Sequence, residues 1–186
     1  MSRRTKWIVL VLLVVLLGGA IALVVTQQPK LDDARTKVDT TWKPLRAPDQ
    51  LPLRYQTLTG ALSAFDAAGG ADRNVSKDLH AALKAWDSAV KDGGAGAQAT
   101  AANTVEGQGT RLTANALGSQ RLAADKAVTD SLVKYAQTVP KPELVAAYNR
   151  AVRDYEDERT SGLAQPVARV FGFDARPVLA LGNRTG

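Results

Sequence analysis

The stretch Leu31-Asp-Asp-Ala-Arg-Thr-Lys-Val-Asp-Thr-Thr-Trp-Lys-Pro-Leu45, with Leu51-Pro-Leu-Arg-Tyr-Gln-Thr-Leu-Thr-Gly-Ala-Leu-Ser-Ala-Phe65 after it, decides the fold. In the first, Leu31, Ala34, Val38, Trp42 and Leu45 step by three or four positions; in the second, Leu51, Tyr55, Leu58, Leu62 and Phe65 do the same. That spacing puts each apolar set on one face of an α-helix, whereas a half-buried strand would alternate. Working outward, Val75, Leu79, Ala82, Leu83, Trp86 and Val90 form a third stripe, closed by Gly93-Gly94. Pattern alone leaves residues 51–90 as one helix interrupted at Gly69-Gly70 or as two helices.

Asp92 to Gln98 is small and polar and reads as a loop. Ala-rich sequence follows, weakened as helix by Gly107 and Gly109. Leu112, Leu117, Leu122, Val128, Leu132, Tyr135 and Val139 mark a long, less regular helix ending at Pro140-Lys-Pro142. Leu144, Tyr148, Val152 and Tyr155 stripe the next one, and Pro166 opens a short segment to Phe173. Residues 174–186 read as a flexible tail. The expectation is an all-α chain whose residues 31–173 make an elongated antiparallel up-and-down bundle of about four helices.

Before the bundle lies Trp7 to Val25, WIVLVLLVVLLGGAIALVV, with no charged, amide or hydroxyl side chain. As a helix it spans roughly 28 Å, close to the hydrocarbon thickness of a bilayer. A membrane helix bounded by Trp7 and Val25 is expected, followed by a linker at residues 26–30. Ala20-Ile21-Ala22 also has the small-x-small form of a cleavage site. The run's length and its continuation through Leu23, Val24 and Val25 favour an uncleaved anchor; a mature chain starting at Leu23 would sink it. Arg3, Arg4 and Lys6 in the six-residue tail favour a cytoplasmic N-terminus in the plasma membrane and a soluble domain outside.

Composition narrows the chemistry. The 186 residues include no Cys and one His, which excludes disulfides, thiolate sites and multi-histidine metal sites. Of the net +6, half belongs to Arg3, Arg4 and Lys6; the remaining 21 cations face 18 acids, well mixed, so no nucleic-acid partner is expected. Arg150, Arg153, Asp154, Glu156, Asp157, Glu158 and Arg159 form the densest charge cluster. On a helix its carboxylates spread over about 400° and do not converge on a cation. Arg150–Asp154 and Arg153–Asp157 stand at the spacing of surface ion pairs. His80 reads as a surface histidine, and Gly93–Gly96 and Gly107–Gly109 lack the Lys-Ser/Thr of a phosphate loop. No catalytic residue, metal ligand or cofactor is assigned. Asn74-Val-Ser76 and Asn183-Arg-Thr185 fit a glycosylation sequon, a pattern that matters only in a eukaryotic secretory setting.

The C-terminal third carries the most specific motif: Tyr148-Asn149-Arg-Ala-Val152-Arg-Asp-Tyr155, then Pro166, then Phe171-Gly172-Phe173 and Arg176-Pro177. It resembles the LemA family of bacterial membrane proteins, in which a YN-x-AV-x-x-Y helix leads to a proline and a closing GF-x-x-RP segment. Glu106 with Leu112-Thr-Ala-Asn115 is similar to that family's acidic-proline-LKAN stretch, and Asp32 to Arg54 occupies the place of its first helix. Glu156 stands where the family often has Asn, as in a divergent member. The resemblance implies a short basic tail, one membrane helix and an elongated helical bundle, with no established enzymatic activity. The aromatics of the motif are expected in the core, with Phe171 and Phe173 folded back onto the bundle and Asn149 bonded to backbone or to a neighbouring helix.

The function expected is that of a membrane-anchored scaffold or protein-interaction module of the bacterial envelope, without catalysis. Its partners are the bilayer, through residues 7–25, and another envelope protein or a second copy of the chain. The alternatives are an envelope hydrolase using carboxylates and a metal, which converging buried carboxylates would favour, and a ligand-sensing bundle, which a roomy apolar cavity would favour.

Overall fold

The structure is a computed structural model that describes residues 3–182, with the side chains of residues 3–6, 8–11, 13, 14, 16, 17 and 20 outside that description. Among the described residues all regular structure is helical. Helix α1, Arg3–Trp42, runs unbroken through the expected linker, even across Pro29. Thr26 donates its hydroxyl to the carbonyls of Ala22 and Leu23 at the end of the apolar run. A single 3₁₀ turn at Lys43–Arg46, with Pro44 in its first turn, leads the chain toward α2, Leu51–Phe65.

Residues 51–90 are two helices. Helix α2 unwinds through a π turn at Asp66–Gly70 in which Gly69 has φ +86°, a conformation that costs a side-chain-bearing residue strain. Helix α3, Asn74–Asp92, then packs along α4, Ala95–Leu117. The expected glycine loop shrinks to Gly93-Gly94, because Ala95 already starts α4. Gly107 and Gly109 sit inside α4, and Gly109 allows a close approach: a Cβ there would lie 2.8 Å from Tyr135 Oη. The long helix expected over residues 112–139 is broken at Gly118-Ser119 and again at Asp125, giving α5, Gln120–Ala124, and α6, Lys126–Gln137. Asp125 caps α6 by accepting the Ala127 and Val128 N–H groups at 2.9 and 3.2 Å, which satisfies two of the orphan donors of its first turn. Helix α7, Pro142–Thr160, and α8, Ala164–Phe171, complete the chain.

Helix α1 packs on α7 and α8, and α2 packs on α6. Trp42 meets Tyr148 at 4.8 Å between ring centroids, while Lys37 reaches Asp154 a turn or more away, so α1 and α7 run antiparallel. Trp42 also donates its indole N–H to Gln98 Oε1 at 2.6 Å, fastening α1 to α4. Tyr55 and Trp86 pack edge to face. One core runs through the bundle, built from Leu31, Val38 and Trp42 of α1, the α2 stripe, Leu79, Leu112, Leu132 and the α7 stripe. Each Leu buried there contributes about 1.5–3 kcal/mol of transfer free energy.

Among the described residues no helix is long and apolar enough to cross a membrane. Of the expected anchor, the side chains of residues 8–11, 13, 14, 16, 17 and 20 lie outside the description, and the boundary residues Trp7 and Val25 are exposed. The side chains of Arg3, Arg4 and Lys6 and the sequon at residues 183–185 lie outside the described residues as well.

Candidate functional site

The richest polar arrangement lies where residues 173–182 cross the bundle between α4 and α7. Gly172, at φ +69°, ends α8 and turns the chain out of helix. The segment beyond it has no regular structure, so its N–H and C=O groups need side-chain partners. Helix α7 supplies one set. Tyr155 donates its hydroxyl to the Asp174 carbonyl at 2.8 Å, and Tyr148 donates to the Pro177 carbonyl at 2.9 Å. Glu156 accepts the Arg176 N–H at 2.7 Å. The Asn149 amide clamps both backbone groups of Leu179, accepting its N–H at 2.7 Å and donating to its carbonyl at 2.9 Å.

Helix α4 answers from the other side. Asn103 donates to the Val178 carbonyl and accepts the Ala180 N–H, each at 2.8 Å. Three residues on, one turn further along the same face, Glu106 accepts the Gly182 N–H at 2.9 Å. Asn103 and Asn149 therefore grip this irregular segment from its two sides, Asn103 at residues 178 and 180 and Asn149 at the residue between them. A flexible tail was expected from residue 174, but residues 174–182 are tied down by these bonds and by the buried side chain of Leu179.

Glu106 belongs to a buried ion pair at the end of this groove. Arg54 of α2 meets it in a fork, Nε to Oε1 at 2.6 Å and Nη2 to Oε2 at 2.7 Å, with side chains only 3% and 1% exposed. The remaining guanidinium donors go to the carbonyls of Thr138 at 2.7 Å and Tyr135 at 3.3 Å at the C-terminal end of α6. Nη2 also reaches the Gly182 carbonyl at 3.3 Å, and the guanidinium lies 4.3 Å from the centroid of the Tyr135 ring. Tyr135 donates its hydroxyl to Glu106 Oε2 at 3.1 Å. Burial disfavours the Arg54 charge, but the hydrogen bond and charge of Glu106 outweigh it and hold Arg54 above its ordinary value. Burial, and after it the Glu106 charge, pushes the Tyr135 and Tyr55 hydroxyls up from theirs. Burial likewise raises Tyr148 and Tyr155.

With its donors and acceptors spent on each other and on backbone, the arrangement is suited to holding a main chain rather than to attacking a bond. Glu106 is the one carboxylate buried in the core among the described residues, and Arg54 neutralises it. No group of three or more His, Asp or Glu stands close enough to hold a metal ion among those residues.

Of the motif residues, Tyr148, Val152 and Tyr155 are buried, and Asn149 bonds backbone as expected. Phe173 folds back and is 5% exposed, but Phe171 is 45% exposed: it ends α8 on the outer face, while Ala164, Val167 and Ala168 fill the inner one. Arg176 lies along Gly96, where a Cβ would come within 2.5 Å of Nη1. The charge cluster pairs differently from its spacing. Asp154 takes Lys37 of α1 at 2.7 Å, which with its hydrogen bond lowers the Asp154 pKa, and Arg159 pairs with Glu156 at i,i+3. His80 is exposed, with Nε2 2.9 Å from Asp66 Oδ2.

Arg54, Asn103, Glu106, Tyr135 and Gly182 were not foreseen as one site. A signal for two of them was present. Arg54 stands three residues after Leu51, on the apolar face of α2, and Glu106 follows Val105 in an otherwise uncharged stretch of small residues. Opposite charges on two core faces mark a buried pair, because an unpaired charge is almost never buried. Compared with protein-family models, with curated proteins and with solved structures, the chain finds no match.

Proposed function

We propose that the chain is a single-pass, membrane-anchored helical-bundle protein of the bacterial envelope that acts as a scaffold or interaction module and carries out no catalysis. The observation that carries this reading is the groove itself: Asn103, Asn149, Tyr148, Tyr155 and Glu156 converge on a peptide backbone, and the buried carboxylate beside them is neutralised by a two-bond Arg54 fork. In this structure those side chains hold the chain's own residues 174–182, and the same donor and acceptor set suits a peptide backbone rather than a bond-breaking reaction.

The membrane part of the proposal rests on the uncharged run from Trp7 to Val25 and on the helical continuity of α1 into the core residues Leu31, Val38 and Trp42. Arg3, Arg4 and Lys6 favour a soluble domain outside the plasma membrane. The resemblance of Tyr148, Asn149, Val152, Tyr155, Phe171, Gly172, Phe173, Arg176 and Pro177 to the LemA motif supports the same picture of an anchored bundle.

Affinity purification of the detergent-solubilised full-length chain, with identification of what co-purifies, tests the function. A partner lost from the Asn103→Ala, Asn149→Ala double variant is expected; recovery of no specific partner would overturn the scaffold reading. Because the chain has no Cys, Ser88→Cys on the exposed face of α3 gives a single thiol. Its labelling in intact cells is expected, and labelling only after lysis would place the domain in the cytoplasm.

A further inference from the structure

Helix α1 is covered further toward its N-terminus than α7 can reach. Trp42 stands opposite Tyr148 and Lys37 opposite Asp154. Carried on, that pairing brings Thr160, the last residue of α7, level with Lys30 and Leu31. Gln27 is buried and Val24 packs against the core, one and about two turns nearer the N-terminus. Past the end of α7 the element that packs on α1 is α8, while α4 meets α1 at the other end, through Trp42 and Gln98. Helix α8 therefore lies beside the last turn of the uncharged run that ends at Val25.

The surface of α8 is apolar on two sides. Ala164, Val167 and Ala168 fill the inner one. On the outer side Leu163, Pro166 and Val170 recur at three- and four-residue spacing and share a face. Leu163 is 61% exposed and Val170 78%, the most of any large apolar side chain among the described residues, and the half-exposed Phe171 follows them. A helix apolar around most of its surface belongs in an apolar setting, and water is not one. Residues 161–173 hold no acid and a single charge, Arg169, and the first charge on α1 beyond Val25 is Lys30. Both are cations, the sign that anionic headgroups attract.

We propose that α8 is an interfacial helix that lies against the bilayer α1 enters, with Leu163, Val170 and Phe171 among the lipids at the headgroup–acyl boundary and Arg169 among the headgroups. Lipid is the occupant because an anchor ending at Val25 sets the turn that carries Val24, and the helix packed on it, at that boundary. The inference rests on the membrane-anchor reading and adds a second contact with the same bilayer. One rod through the membrane and one helix along it hold the bundle at a fixed tilt.

The test uses the full-length chain in nanodiscs of phosphatidylcholine and phosphatidylglycerol in equal parts. Because the chain has no Cys, Leu163→Cys, Val170→Cys, Val15→Cys and Ser88→Cys each give one thiol for a spin label. All four side chains are exposed, so each substitution leaves the core as it is. Collisions of the label with oxygen, which concentrates in acyl chains, are compared with collisions with a water-soluble nickel chelate. The oxygen-to-nickel ratio at Leu163 and Val170 should exceed that at Ser88 of α3 several-fold and approach that at Val15. Ratios at Leu163 and Val170 equal to that at Ser88 would overturn the proposal. Labels shielded from both reagents and broadened by a second spin would overturn it as well, and would assign the face to a second copy of the chain. Val15 separates this inference from the reading beneath it. Lipid contact at Val15 with water contact at Val170 would retire the α8 contact and keep the anchor; water contact at both would retire the two together.

Discussion

Helix α7 is gripped on two sides by two kinds of force. Toward α1 it presents Tyr148, Val152 and Tyr155 to a dry interface with Trp42 and Val38. Toward residues 173–182 it presents the Asn149 amide, the Tyr148 and Tyr155 hydroxyls and the Glu156 carboxylate, each aimed at backbone. Apolar burial has no direction and no substitute in water, so the first interface is made once. Hydrogen bonds at a wet rim trade with water nearly evenly, each worth a net 0.5–1.5 kcal/mol or so. The same helix thus serves as a structural wall on one side and as a reading surface on the other. Tyr148 and Tyr155 do both, with the ring buried and the hydroxyl bonded across the groove.

The sharpest way to break this contrast is from the apolar side. Trp42→Ala should cost about 3–5 kcal/mol in chemical denaturation, since it opens a cavity beside Tyr148 and leaves Gln98 without its indole partner. A loss below 1 kcal/mol would mean that α1 is not part of the core. Glu106→Ala strands the buried Arg54 charge and should cost nearly as much, about 3–5 kcal/mol. The paired change Arg54→Met, Glu106→Leu should recover most of that stability, because the penalty comes from an unpaired charge. Asn149→Ala removes two bonds at the rim and should cost only about 1–2 kcal/mol. Hydrogen exchange at the Leu179 amide should rise in that variant while exchange in the α1–α7 interface stays slow.

The gentlest probe is alkali. Burial lifts the Tyr55, Tyr135 and Tyr148 hydroxyls above their unfolded value near 10, so the folded protein keeps protons that the unfolded chain gives up. Their contribution is fully present below about pH 10 and falls as pH rises toward the raised folded values. Denaturation midpoints should match at pH 8 and 9 and fall by pH 11. A flat profile would mean that these rings are hydrated.

Much of the fold was legible because each helix carries its own apolar period. The α1, α2, α3 and α7 stripes can be read from local sequence, and all of them face the core. The breaks were harder. Asp125 is an ordinary acid until its carboxylate is seen over the Ala127 and Val128 amides, and the 118–119 and 125 breaks therefore looked like one irregular helix. The site was half legible. Asn149 and Phe173 stand in a motif with a recognisable order, but Asn103 has no local signature, and Gly182 matters only because Thr110 and Glu106 crowd it. Arg54 and Glu106 are 52 positions apart. Only the packing of α2 against α4 brings them together, and no period within either helix contains that fact.

Helix α1 has a mechanical consequence. Its 40 residues make a rod of roughly 60 Å at 1.5 Å per residue, and the far end of that rod is not attached to the bundle but is part of it, through Leu31, Val38 and Trp42. Pro29 deletes one rung of the backbone ladder two residues before Leu31, but Val24 packs against the core and Gln27 is buried, so the softened turn lies inside the clamped part of the rod. Side chains on both sides of the proline hold the helix to the bundle, so a twist or tilt of the N-terminal half has no free hinge there and must work against the same contacts that form the core.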